Sequence, residues 1–62
     1  RIPKLGELTR HPDNRVRSDA CHYLSLTENK DAIPYVTALL EDESAEVREV
    51  ASESLEDLNE NN

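Results

Sequence analysis

The chain repeats itself once, at an offset of 31 residues and without a gap. Ile2 falls on Ile33, Pro3 on Pro34, Leu8 on Leu39, Val16 on Val47, Arg17 on Arg48, Ala20 on Ala51 and Leu24 on Leu55. A fixed period in this range is the mark of supersecondary units that stack, each burying one face on its neighbour. It argues against a domain with a single closed core. Arrays of this kind seldom carry chemistry of their own, so the repeat constrains shape more tightly than function.

With 62 residues, one small domain with a marginal core is all the chain can build. Cys21 is its only cysteine, so no internal disulfide can close, and a reducing, cytoplasmic setting is the expectation. No apolar run approaches 18 residues, the length a membrane helix requires, and no charged-then-apolar leader is visible. The chain starts at Arg1 and not at Met, which predicts a piece of a longer protein. Net charge is −7 and very uneven. The first half carries Arg1, Lys4, Arg10, Arg15, Arg17 and Lys30 against five acids, for +1. The second half sets nine acids against Arg48 alone, for −8. A half so acidic is repelled by phosphate, so nucleic acid is not expected as a partner.

Each repeat reads as two helices. In the second, Asp31 is placed to cap a helix near 32–41 that carries Pro34 in its first turn, where a missing N–H costs little. Asp42, Glu43 and Ser44 form the turn, with Ser44 as the next cap. Val47, Val50, Ala51, Ser54, Leu55 and Leu58 then fall at helical spacing, giving a core stripe on a helix near 45–58. In the first repeat the same plan predicts helices near 2–10 and 14–26, with Asp13 as cap and Val16, Ala20, Tyr23 and Leu24 as stripe. Gly6, the only glycine, falls inside the first helix, and close packing on a neighbour is the reading for it. Residues 59–62 are a polar tail, expected to fray. The domain reading is one unit over 1–62, with repeat one at 2–31 and repeat two at 33–58.

The second repeat, AIPYVTALLEDESAEVREVASESLEDL, resembles a HEAT repeat, and most closely the short HEAT-like type also found in phycobilisome lyases. Pro34, Asp42, Val47 and Arg48 match the early proline, the turn aspartate and the Val-Arg pair of that pattern. Pro3, Val16 and Arg17 match in the first repeat, but His11 stands where the aspartate belongs. The resemblance implies an all-α fold, an α-α superhelix fragment of four antiparallel helices in two hairpins. It also implies an inter-repeat structural role for Asp42 with Arg17 or Arg48, which His11 puts in doubt at the first repeat. Arg17 and Arg48 sit about 100° from the valines that precede them, at the edge of the stripe, where an Arg stem can be covered while its head stays on carboxylates or carbonyls.

The resemblance places the second helix of each pair on the concave side of the stack. With the stripe centred on Val16 and Ala20, the outward residues are Asn14, Ser18, Cys21, His22 and Ser25 in one repeat, and Ala45, Glu49, Ser52, Glu53 and Glu56 in the other. Ser18, His22, Ser25, Glu49, Glu53 and Glu56 are therefore the candidate protein-binding face, against the alternative of an ordinary solvated surface lacking large apolar anchors. Cys21 and His22 are adjacent on a helix and point about 100° apart, which is poor geometry for a nucleophile and its base. His11 and His22 are eleven residues apart, too far for one metal site along a helix. The iron-binding His-Glu pairs of the HEAT-like deoxyhypusine hydroxylases have no counterpart here.

The expectation is a non-catalytic module for protein–protein interaction or scaffolding, with no cofactor and no metal. Its partner would be another protein or an upstream domain of the same chain, not nucleic acid and not a membrane. Two repeats are thin where three are typically needed, Arg1-Ile2 lacks a polar cap, and the last helix is acidic. Together these predict further repeats upstream and a C-terminal position in a larger protein. The alternative is an accessory domain of an enzyme. The stretch around His11 to Thr27 resembles HEAT-like tails of thioredoxin-like redox proteins, and the lyase resemblance implies bilin binding, with Cys21 the sole thiol available.

Overall fold

In the computed structural model, the described residues are 2–60, with side chains from Lys4 onward. Arg1, Asn61 and Asn62, which the sequence reading placed at an uncapped start and in a polar tail, lie outside them. Four α-helices follow in order: α1 (Ile2–Leu8), α2 (Asn14–Leu26), α3 (Ile33–Ala38) and α4 (Ala45–Glu60). No strand occurs among the described residues. The two repeats are two helical hairpins, α1–α2 and α3–α4, and the longer second helices α2 and α4 pack on each other.

The caps explain where most helices begin and end. Asp13 is extended, and its Oδ1 accepts a hydrogen bond from the Arg15 N–H at 2.8 Å, satisfying one of the orphan donors at the α2 start. At the other end Thr27 Oγ1 donates to the Leu24 carbonyl at 2.7 Å, and Glu28 turns the chain with φ 55. The first helix is shorter than its predicted span near 2–10. Thr9 Oγ1 donates to the Gly6 carbonyl and its N–H bonds to the same oxygen, closing the helix there. The predicted helix near 32–41 is also shorter. Its centre, 33–38, is α-helical, but both flanks, Lys30–Ala32 and Leu39–Glu41, tighten into 3₁₀ turns, as helix ends commonly do. Asn29, not Asp31, supplies the cap, its Oδ1 accepting from the Asp31 N–H at 2.9 Å. The final helix runs through Glu60, so Asn59 and Glu60 are helical and not part of a frayed tail.

The core is one cluster spanning both hairpins. Leu24 and Cys21 from α2 meet Ala32, just before α3, and Val36, Leu39, Val47, Ala51 and Leu58 of the second repeat. At about 25 cal/mol per Å² of apolar surface, such burial is the main favourable contribution to folding. Two of the eight come from repeat one, so neither hairpin owns a complete core.

The stripe of α2 lies one step around from its predicted place. Tyr23 is exposed and Val16 only half-buried, whereas Arg17, Ser18, Ala20, Cys21, Leu24 and Ser25 are buried. A single helical pattern cannot say which of two flanking neighbours will cover it. Here α4 lies on the side of Ser18 and Cys21, and those small side chains allow its approach.

Gly6 packs against Tyr35, and a Cβ there would lie 2.7 Å from both Cδ1 and Cζ of that ring. Gly6→Ala should therefore lower stability in urea unfolding despite the ~1 kcal/mol that Ala gains over Gly in a helix. In a Tyr35→Ala background the same change should become stabilising by about that amount. A stabilising Gly6→Ala in the unaltered chain would show that the contact does not constrain the helix.

Candidate functional site

Two features join the repeats: a buried ion pair at one end of the α2–α4 contact, and an open groove along it. The ion pair comes from the Val-Arg positions and the turn of repeat two. Arg17 Nη2 donates to Asp42 Oδ2 at 3.0 Å, and Nε lies 2.9 Å from Oδ1. The N–H on Nε is turned off the line to a hydrogen-bond acceptor, so that contact acts through charge alone. Arg17 Nη1 donates to the carbonyls of His11 and Pro12 at 2.8 and 3.0 Å. Both charged side chains are only 10% exposed. Arg48 repeats half of this arrangement, with Nη1 donating to the Asp42 carbonyl at 2.6 Å, but it is exposed.

Asp42 is also the hinge of its own turn. Its Oδ2 accepts the Ser44 N–H at 2.9 Å. That backbone bond is the largest influence holding its carboxyl below the usual carboxylate range, burial opposes it, and Arg17 and then Arg48 add to the lowering. His11 fills the same turn role in repeat one, its Nδ1 accepting the Asp13 N–H at 3.0 Å. Replacement of the aspartate by histidine therefore keeps the turn and removes the carboxylate. Ser44 is a weak cap, its Oγ 3.4 Å from both the Val47 N and Asn14 Nδ2.

The groove encloses about 470 Å³ between α2 and α4. Arg15, Ser18, Asp19 and His22 line one wall, and Glu46, Val50, Glu53, Ser54 and Asp57 the other. Its carboxylates outnumber its cations. Of the face read from the sequence, it brings together Ser18, His22 and Glu53. Glu49 and Glu56 are exposed outside it. Ser25, expected to face outward, is buried, as is Ser18. Their hydroxyls bond back to their own helix, to the His22 and Arg15 carbonyls at 2.6 and 3.0 Å. Asp19 and Arg15 were missed because the rotation of the α2 stripe also rotates its open face, and a stripe centred on Arg17 would have found them. The α4 stripe lies where it was predicted, with Val47, Ala51, Ser54 and Leu58 buried, so Glu46 and Asp57 enter the groove only through the way the two helices pack.

Cys21 is wholly buried, contrary to its expected outward place. Burial pushes its thiol up, and a hydrogen bond with Ser54 opposes this only in part. No bilin reaches that sulfur while the helices are closed. Among the described residues, no group of three or more His, Cys, Asp or Glu is placed to hold a metal ion.

Breaking a buried pair strands a charge, so Arg17→Ala should cost ~3 kcal/mol in chemical unfolding, and Arg48→Ala far less. Equal effects would mean the cross-repeat bond has no special weight. Because the folded-state pKa of Asp42 is depressed, its contribution is complete above the ordinary carboxylate range and is lost as pH falls through the folded value. Asp42→Asn should therefore flatten the acid limb of a stability–pH curve, and an unaltered limb would refute this. The Cys21 thiol should react with a disulfide reagent at least ~100-fold slower in the folded chain than in denaturant; comparable rates would contradict its burial.

Among known families, residues 2–61 match HEAT repeats. No curated protein and no solved structure matches the chain significantly. HEAT repeats generally mediate protein–protein interaction and are generally non-catalytic. Among the described residues no helix is long and apolar enough to cross a membrane. With two hairpins in register and the family matched from residue 2 to residue 61, this chain belongs to the HEAT-repeat family.

Proposed function

We propose that this chain is a non-catalytic protein-interaction module whose receptor surface is the groove between α2 and α4, and whose ligand is a basic segment of another protein. The observation that carries the reading is the groove itself. Its walls come from two different repeats, and it draws Asp19, Glu46, Glu53 and Asp57 toward one trough. Carboxylates so placed favour Lys- or Arg-bearing segments and speed their encounter. The usual role of HEAT repeats in protein interaction supports it.

The outer side of repeat two supports a second element of the reading, a closing position in a stack. Glu49, Ser52 and Glu56 occupy the places that Ser18, Cys21 and Ser25 hold in repeat one. The first set is exposed and the second buried under α4. A further hairpin stacked on repeat two would bury two carboxylates, which is costly without partners.

Titration with a Lys- and Arg-rich peptide, followed through backbone amide shifts, tests the groove. Shifts should centre on Ser18, His22, Val50 and Ser54, and weaken with added salt. Combined Glu46→Lys and Glu53→Lys should weaken binding on the order of 10-fold. Shifts spread evenly over Glu41, Glu43, Glu56 and Glu60 would reduce the groove to general acidity and sink the proposal.

A further inference from the structure

The groove between α2 and α4 is not electrically uniform along its length. Two contacts fix the relative direction of its walls. Asn14 Nδ2 lies 3.4 Å from Ser44 Oγ at the two helix starts, and Cys21 meets Ser54 further along. The helices therefore run the same way, and their first turns share one end of the groove. That end holds Arg15 and Glu46, one charge of each sign. Arg15 also lies 4.0 Å from Asp19, one turn on, so its guanidinium already attends the carboxylates of this half. The other end holds Glu53 and Asp57, faced from α2 by His22, with no Lys or Arg among its lining residues. The helix dipoles act in the same sense. First-turn N–H groups lend positive potential to the Arg15 end, and last-turn carbonyls lend negative potential to the other.

We infer that the groove takes a protein segment whose cations are gathered at one end, and that it seats this end beside Glu53 and Asp57, with the uncharged remainder toward Arg15 and Glu46. The inference rests on the groove being the receptor surface, and it adds which basic segments are selected and which way they lie. An evenly basic segment would set one of its cations against Arg15, and like charges brought together oppose binding. A segment charged at one end avoids that clash and meets two carboxylates. Half-buried Val50, midway along the α4 wall, offers an apolar contact to the residues between. From Glu46 to Asp57 the helix rises about 16 Å. That is roughly twice the ~8 Å screening length at physiological salt, so the two ends are read separately.

Two peptides of identical composition test this with the full chain, one with its Lys and Arg residues contiguous at one end and one with them evenly spaced. By fluorescence anisotropy the first should bind at least ~5-fold tighter. A nitroxide label on its cationic end should broaden the amide signals of His22 and Ser54 and spare those of Arg15 and Glu46. Glu53→Gln should weaken this peptide more than Glu46→Gln does, and Arg15→Gln should improve the evenly spaced peptide more than the one-ended one. All three sites are exposed, and circular dichroism checks that each variant keeps its helices. Groove shifts with equal affinities for the two peptides, or equal losses from Glu53→Gln and Glu46→Gln, would overturn the inference and leave the groove as a receptor for basic segments at large. Absence of groove shifts with either peptide would overturn both readings.

Discussion

The guanidinium of Arg17 joins two parts of the chain at once: the carbonyls of His11 and Pro12 in the first turn, and the carboxylate of Asp42 in the second. With both charged side chains 10% exposed, little water can substitute for any of these partners. The pair aligns the two turns, and with them the starts of α2 and α4. Hydrophobic contact is non-directional and would tolerate some sliding of one helix along the other. A hydrogen bond from Nη2 to the carboxylate, with Nε held beside it by charge, tolerates less. This contact therefore adds a directional constraint on the register to the non-directional one of the core.

The same alignment explains why the interface uses small side chains. Ser18, Cys21 and Ser25 line the buried side of α2, and the hydroxyls are satisfied within their own helix, so α4 approaches without stranding a polar group. Cys21 meets Ser54 across the contact. The open groove along α2 and α4 follows from this packing, because long charged side chains such as Arg15, Glu46 and Glu53 cannot enter the interface and rise along its rim. A tight seam with a charged border thus comes from the size of a few residues.

Much of the fold was legible in the residues. The extent of α2 was legible, near 14–26, because Asp13 is an unambiguous cap and the apolar spacing runs on from it. The ends of the third helix were not, because Asn29 and Asp31 are both competent caps and only the tertiary path decides between them. The candidate site was legible in part. Ser18, His22 and Glu53 line the groove as well as standing on the face read from the sequence, while Ser25 turned out to be buried and Asp57 was overlooked. An amphipathic stripe reports that a helix has an inside, but an error of one residue in its centre turns the open face by about 100°.

What the sequence determined by itself was the period, and with it two helical hairpins of matching plan, since residues 31 apart that obey the same spacing rules must fold alike locally. What only the tertiary structure decided was which side of each hairpin faces its twin. Ser18 and Glu49 are equivalent in the repeat, yet one is buried and the other exposed. So are Leu39 and Leu8, in the opposite sense. The physical reason is that burial belongs to a pair of surfaces, and a local pattern describes only one of them.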